Sequence, residues 1–153
     1  MENTGESERN EVNINQELLF KLSMFEQQIQ HLQQQLQAVE ESLVDIGLLS
    51  AGLDEISGSA GRDILAPLGR GIFVEAKILS DKLTVDIGSK NLVKKSVSET
   101  KKIIDEQIKK LEEIKKELND KIEEIGEELT KAISEIQKVS EEKDEEDDEE
   151  YIG

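Results

Sequence analysis

The side chains here that could do chemistry are nearly all carboxylates: 36 Asp and Glu against 19 Lys and Arg, with one His and no Cys in 153 residues. Carboxylate pairs act as acids and bases when burial or a close neighbour shifts their proton affinity. Here they recur along every polar stretch, interleaved with Lys, which is the pattern of solvated helix faces. His31 falls between the apolar positions of a helical repeat and has no ligand-type partners, so it reads as an ordinary surface imidazole. The lack of Cys removes disulfides, thiolate metal sites and thiol nucleophiles. Gly69-Arg70-Gly71 lacks the Lys-Ser/Thr of a phosphate loop and the glycine spacing of a dinucleotide fold, and reads as a turn. Gly58-Ser59-Ala60-Gly61 has the bare form of an RNA-binding GxxG loop. It carries no basic residue and follows acidic ones, so it reads as a linker. No catalytic residue, metal site or cofactor is expected, and the chain is not expected to be an enzyme.

The net charge of −17 narrows the partners. Nine of the ten residues Glu141 to Glu150 are acidic. Such a surface repels phosphate, so nucleic acid is not an expected partner. Residues 1–12 and 141–153 are expected to be disordered, the second as a solubilising acidic tail. No run of apolar residues is long enough to span a membrane. Met1 to Glu11 has no apolar run of the signal-peptide kind. A cytoplasmic protein that binds no membrane is expected.

These elements must position whatever function the chain has. With 35% hydrophobic and 36% charged residues, it cannot fill a large globular core. It can bury a narrow stripe. Leu18, Leu22, Phe25, Ile29, Leu32, Leu36, Val39, Leu43 and Ile46 alternate in steps of four and three, an unbroken heptad. Ile104, Ile108, Leu111, Leu118, Ile122, Ile125, Leu129, Ala132, Ile136 and Val139 hold a second, with Lys101 and Lys115 as polar members. Helices are therefore expected over 13–57 and 96–140, the first stopped at Gly58 and the second capped by Ser96 or Ser98.

Between them the period falls to two. Ile72, Val74, Ala76 and Ile78 alternate with Phe73, Glu75 and Lys77, and Leu83, Val85 and Ile87 with Lys82, Thr84 and Asp86. Asp63 to Ala66 and Asn91 to Lys95 are the partner strands. Residues 67–71 and 88–90 connect each pair, which makes two β-hairpins within 58–95. Two short hairpins cannot stand alone in water, and their edges invite other chains. The expected fold is α+β: a long antiparallel two-helix coiled coil joined by two β-hairpins that assemble through their strands into an oligomeric β core. The oligomerisation residues would be Ile64, Leu65, Leu68, Ile72, Phe73, Val74 and Ile78 in the first hairpin. Leu83, Val85, Ile87, Leu92 and Val93 would serve in the second.

The stretch Asp63-Ile64-Leu65-Ala66-Pro67-Leu68-Gly69-Arg70-Gly71-Ile72-Phe73-Val74-Glu75-Ala76-Lys77-Ile78 resembles the first hairpin of prefoldin subunits of the archaeal alpha class. Lys82-Leu83-Thr84-Val85-Asp86-Ile87-Gly88 resembles the start of their second; beta-class subunits have one hairpin. The resemblance covers about residues 14 to 140. It implies a hexamer of two alpha and four beta subunits, whose hairpins assemble into an oligomeric β-barrel, and which holds unfolded client proteins at coiled-coil tips without ATP. It also implies transfer of those clients to a group II chaperonin. The alternative is a filament-forming, prefoldin-like scaffold subunit.

Client contact is expected at the free helix ends. Ile14, Leu18, Leu19, Phe20, Leu22 and Phe25 cluster there on the first helix, and Ile133, Ile136 and Val139 on the second. Leu19, Phe20 and Ile133 lie off the heptad stripe and so have no partner in the seam.

Overall fold

The computed structural model describes residues 4–151. The order is α1 (Thr4–Ile56), β1 (Asp63–Gly69), β2 (Ile72–Lys77), β3 (Leu83–Asp86), β4 (Leu92–Lys95) and α2 (Val97–Tyr151). Two compact units divide the chain. One contains residues 1–38 and 115–153, the other 39–114.

Both helices run further than the apolar pattern predicts. The expected disordered ends differ from the structure, which carries α1 back to Thr4 and α2 on to Tyr151. Positions 1–3 and 152–153 lie outside the described residues. A helix needs only local backbone hydrogen bonds, and Glu and Lys are good helix formers. Residues 141–151 contain neither Gly nor Pro, and Glu6 suits the positive end of α1. The acidic end of α2 opposes the helix dipole, so backbone propensity and not charge favours its last turns.

The heptads appear as burial. In the unit of residues 1–38 and 115–153, Leu18, Leu22, Phe25, Ile29, Leu32 and Leu36 of α1 are half-buried between exposed neighbours. On α2, Leu118 and Ala132 are buried, and Ile122, Ile125, Leu129, Ile136 and Val139 are half-buried. In the unit of residues 39–114, Leu53, Val97 and Ile104 form a small core, with Ile46, Ile56, Leu83 and Ile108 packed against it. Lys101, a polar member of the stripe, pairs with Asp54 of α1. Asp54 is mostly exposed, so the pair contributes at most ~1 kcal/mol and serves register more than stability.

The helix ends follow their caps. Gly58 adopts φ 73°, the left-handed conformation that glycine tolerates best, and the Ser59 hydroxyl donates to the Ile56 carbonyl. Of the two serines that could cap α2, Ser96 does so. Its Oγ accepts from the Glu99 N–H at 3.1 Å, in a Ser-x-x-Glu sequence.

The two hairpins form as separate two-stranded antiparallel sheets. In the first, Ile64 pairs with Ala76, Ala66 with Val74 and Pro67 with Phe73, and the register shifts between Pro67 and Gly69. The connection is therefore shorter than residues 67–71. β1 continues through Pro67 to Gly69, and Arg70 and Gly71 turn the chain at φ 52° and 76°. Two positive φ values in a two-residue turn match the right-handed twist of the strands. Pro67 is tolerated because every strand of a two-stranded sheet is an edge.

Gly126 lies inside α2, where a Cβ would meet nothing within 4 Å. Gly126→Ala removes backbone freedom from the unfolded chain without a clash. It is expected to stabilise α2 by about 1 kcal/mol, read as a higher midpoint in thermal melting followed at 222 nm.

Candidate functional site

The candidate site consists of exposed apolar surfaces, and their geometry follows from the seams. In the unit of residues 1–38 and 115–153, rising numbers on α1 meet falling numbers on α2, so the helices run antiparallel. Leu18, Lys21 and Phe25 line a groove of ≈ 300 Å³ with Glu128, Lys131, Ala132 and Glu135. Towards the start of α1, Asn15 and Leu19 line a second groove, of ≈ 360 Å³, with Ile136, Val139, Ser140 and Lys143.

The sequence-selected residues divide cleanly here. Leu18, Leu22, Phe25, Ile136 and Val139 are half-buried in the seam. Leu19 is 59% exposed, Phe20 68% and Ile133 42%, and Ile14 is also exposed. The heptad phase explains the division: residues off the a/d stripe lie at the flank of the seam or outside it. Leu19 joins Ile136 and Val139 at the second groove; Phe20 and Ile133 line neither groove.

The hairpins expose a second apolar surface in the unit of residues 39–114. Residues opposite each other share a face. In the first hairpin, Ile64, Ala66, Val74 and Ala76 therefore make one wholly apolar face. Asp63, Leu65, Pro67, Phe73, Glu75 and Lys77 make the other, and Lys77 pairs with Asp63 at 3.7 Å. Ile64, Leu65, Leu68, Ile72, Phe73 and Val74 are all exposed. In the second hairpin Ile87, Leu92 and Val93 are exposed, while Leu83 and Val85 are half-buried, as is Ile78. The two two-stranded sheets thus leave this apolar surface and four strand edges open in the single chain.

Two exposed features were missed in the sequence. Leu79, in the connection between the hairpins, is 90% exposed. Val44, Leu48 and Leu49 are exposed on α1, masked by the heptad that runs through the same stretch. Their signal is apolar residues out of phase with that heptad. His31 bonds Gln35 of its own helix, through its Nε2 at 3.2 Å. Among the described residues no cluster of His, Cys, Asp and Glu is gathered to hold a metal, and no helix is long and apolar enough to cross a membrane.

Comparison with known proteins places this geometry. A family model described as Prefoldin subunit matches residues 25–142. Prefoldin subunit alpha of Methanosphaera stadtmanae is 28% identical over 89 residues, which is 58% of this chain and 64% of that protein. Its namesake from Methanobrevibacter smithii is 30% identical, over 58% of this chain and 61% of the relative. That from Methanococcus aeolicus is 34% identical, over 55% and 58%. The aligned stretch thus spans less than two thirds of each of these relatives. The cryo-EM structure of filamentous PFD from Methanocaldococcus jannaschii shares the fold, with a TM-score of 0.65 at 24% identity. The match covers 75% of this chain and 97% of that one.

Proposed function

This chain belongs to the prefoldin subunit family, and from that premise we propose that it is an alpha-class subunit of an ATP-independent chaperone. In this reading its hairpins join those of beta-class subunits, two alpha with four beta, and close into a β-barrel. The helix ends hold non-native polypeptides and pass them to a group II chaperonin, in the cytoplasm. The observation that carries the client-holding role is the surplus of exposed apolar side chains at Leu19, Phe20 and Ile133, beside a groove that Leu19 helps to line. Such side chains have no work in the seam and stand where an unfolded segment can cover them. Each helix end need bind only weakly, because several act on one client chain.

A second reading is kept by one observation. PFD of Methanocaldococcus jannaschii, whose fold this chain shares, is filamentous. A filament-forming scaffold subunit would use the same open strand edges to join its own kind.

The test is light scattering by a chemically unfolded client diluted into buffer with the complex of this chain and a beta-class subunit. Suppressed aggregation that is equal with and without ATP is expected. Aggregation identical to that of the client alone would overturn the chaperone reading.

A further inference from the structure

We propose that two copies of this chain meet through the outer face of α1 at Val44 and Leu48, which takes the Lys-bearing face of the other copy's second hairpin. This goes beyond strand pairing and does not depend on client holding. Val44, Leu48, Ala51 and Glu55 recur in steps of four, three and four, so they share one helix face. The seam residues Leu43, Ile46, Ser50 and Leu53 occupy another. Val44 is 63% exposed and Leu48 68%. Residues 37–56 contain five acidic residues and no Lys or Arg, with Asp45 and Glu55 beside the apolar pair. Two such faces would repel each other, so the surface does not pair with itself.

Its complement lies on the same chain. Residues 82–95 carry four Lys against one Asp. The register, Val85 opposite Val93 and Asp86 opposite Leu92, places Leu83, Val85, Val93 and Lys95 on one face. That face turns inward, with Leu83 packed on the core of Leu53, Val97 and Ile104. The opposite face carries Thr84, Leu92 and Lys94, with Lys90 at the turn, and all four are exposed. Its one acid, Asp86, already accepts the Gly88 N–H at 2.9 Å. Apolar side chains therefore meet apolar side chains, and ammonium groups meet carboxylates. Both surfaces are open in the single chain; a contact between copies covers both at once, and a two-fold pair makes it twice.

The chain has no cysteine, which permits a direct test. Full-length Leu48→Cys chain is mixed with Leu92→Cys chain in the assembled complex and oxidised. As a control it is mixed with Phe20→Cys chain. The expected result is a covalent pair of the first two, formed at least tenfold faster than in the control. Asp45→Lys with Glu55→Lys in the Leu48→Cys chain should slow the reaction about tenfold. Adding Lys90→Glu with Lys94→Glu to the other chain should restore the rate to within about threefold. Equal rates with Leu92→Cys and Phe20→Cys would overturn the proposal, as would Leu48→Cys chains that link only to each other. Failure of the reversed charges to rescue would overturn it too. All the substituted side chains are exposed, and circular dichroism of each variant is the check that its helices are kept.

Discussion

Val74→Asp with Val85→Asp is expected to abolish the oligomer while leaving the helices formed. Val74 lies opposite Ala66 on the wholly apolar face of the first hairpin, and Val85 lies opposite Val93 on the inner face of the second. The first face is open in the single chain and loses its water in the proposed assembly, while Val85 is already half-buried, on the face that carries Leu83 onto the chain's own core. An unpaired buried carboxylate costs several kcal/mol, and about 4 kcal/mol is roughly a thousandfold in affinity. The helical seam is untouched, because neither valine belongs to it. Sedimentation velocity should therefore show small species at concentrations where the unmodified complex is intact, with the ellipticity at 222 nm nearly unchanged. A double variant that still sediments as the full-size complex would mean that these strand faces are not the glue.

Leu19→Ser, Phe20→Ser and Ile133→Ser together should weaken client protection without changing assembly. Each side chain is exposed, so its removal costs the free chain little. Each loses roughly 1.5–3 kcal/mol only where a client would have buried it. The seam residues Leu18, Leu22, Phe25, Ile136 and Val139 remain. In a complex where two of six subunits carry the change, the expected effect is several-fold more complex for half-protection of an unfolded client. Protection unchanged across the titration would place client binding elsewhere, or on the beta-class subunits.

Sequence alone carried much of this fold, for reasons that differ by element. The seams were legible because the 4–3 spacing survives from Leu18 to Ile46 and from Ile104 to Val139, and burial in the structure repeats it nearly residue by residue. Gly58 and Ser96 marked their helix ends because a left-handed C-cap and a Ser-x-x-Glu box are local chemistry. The helix ends at Thr4 and Tyr151 were not legible. Periodicity is seen only through apolar residues, and a helix of Glu, Asp and Lys continues without them. The strand length of β1 was read short because Pro67 and Leu68 looked like turn, whereas an edge strand accommodates both.

The candidate surfaces show the same limit. Leu19, Phe20 and Ile133 stood out as apolar residues just off a heptad at its end, and all three are exposed. Val44 and Leu48 have the same character in mid-helix. There the stronger pattern of Leu43, Ile46 and Leu53 hid them. What an exposed apolar side chain binds is decided by a partner, whose sequence is not written in this one.

Native mass spectrometry of this chain, alone and mixed with a beta-class prefoldin subunit, before and after adding an unfolded client, tests the proposed assembly and its client holding together. The expected result is a six-chain complex holding two copies of this chain and four of the partner, which then takes up client without nucleotide. Long homopolymers of this chain that exclude the beta-class subunit and bind no client would contradict it, and would identify the chain as a filament-forming scaffold.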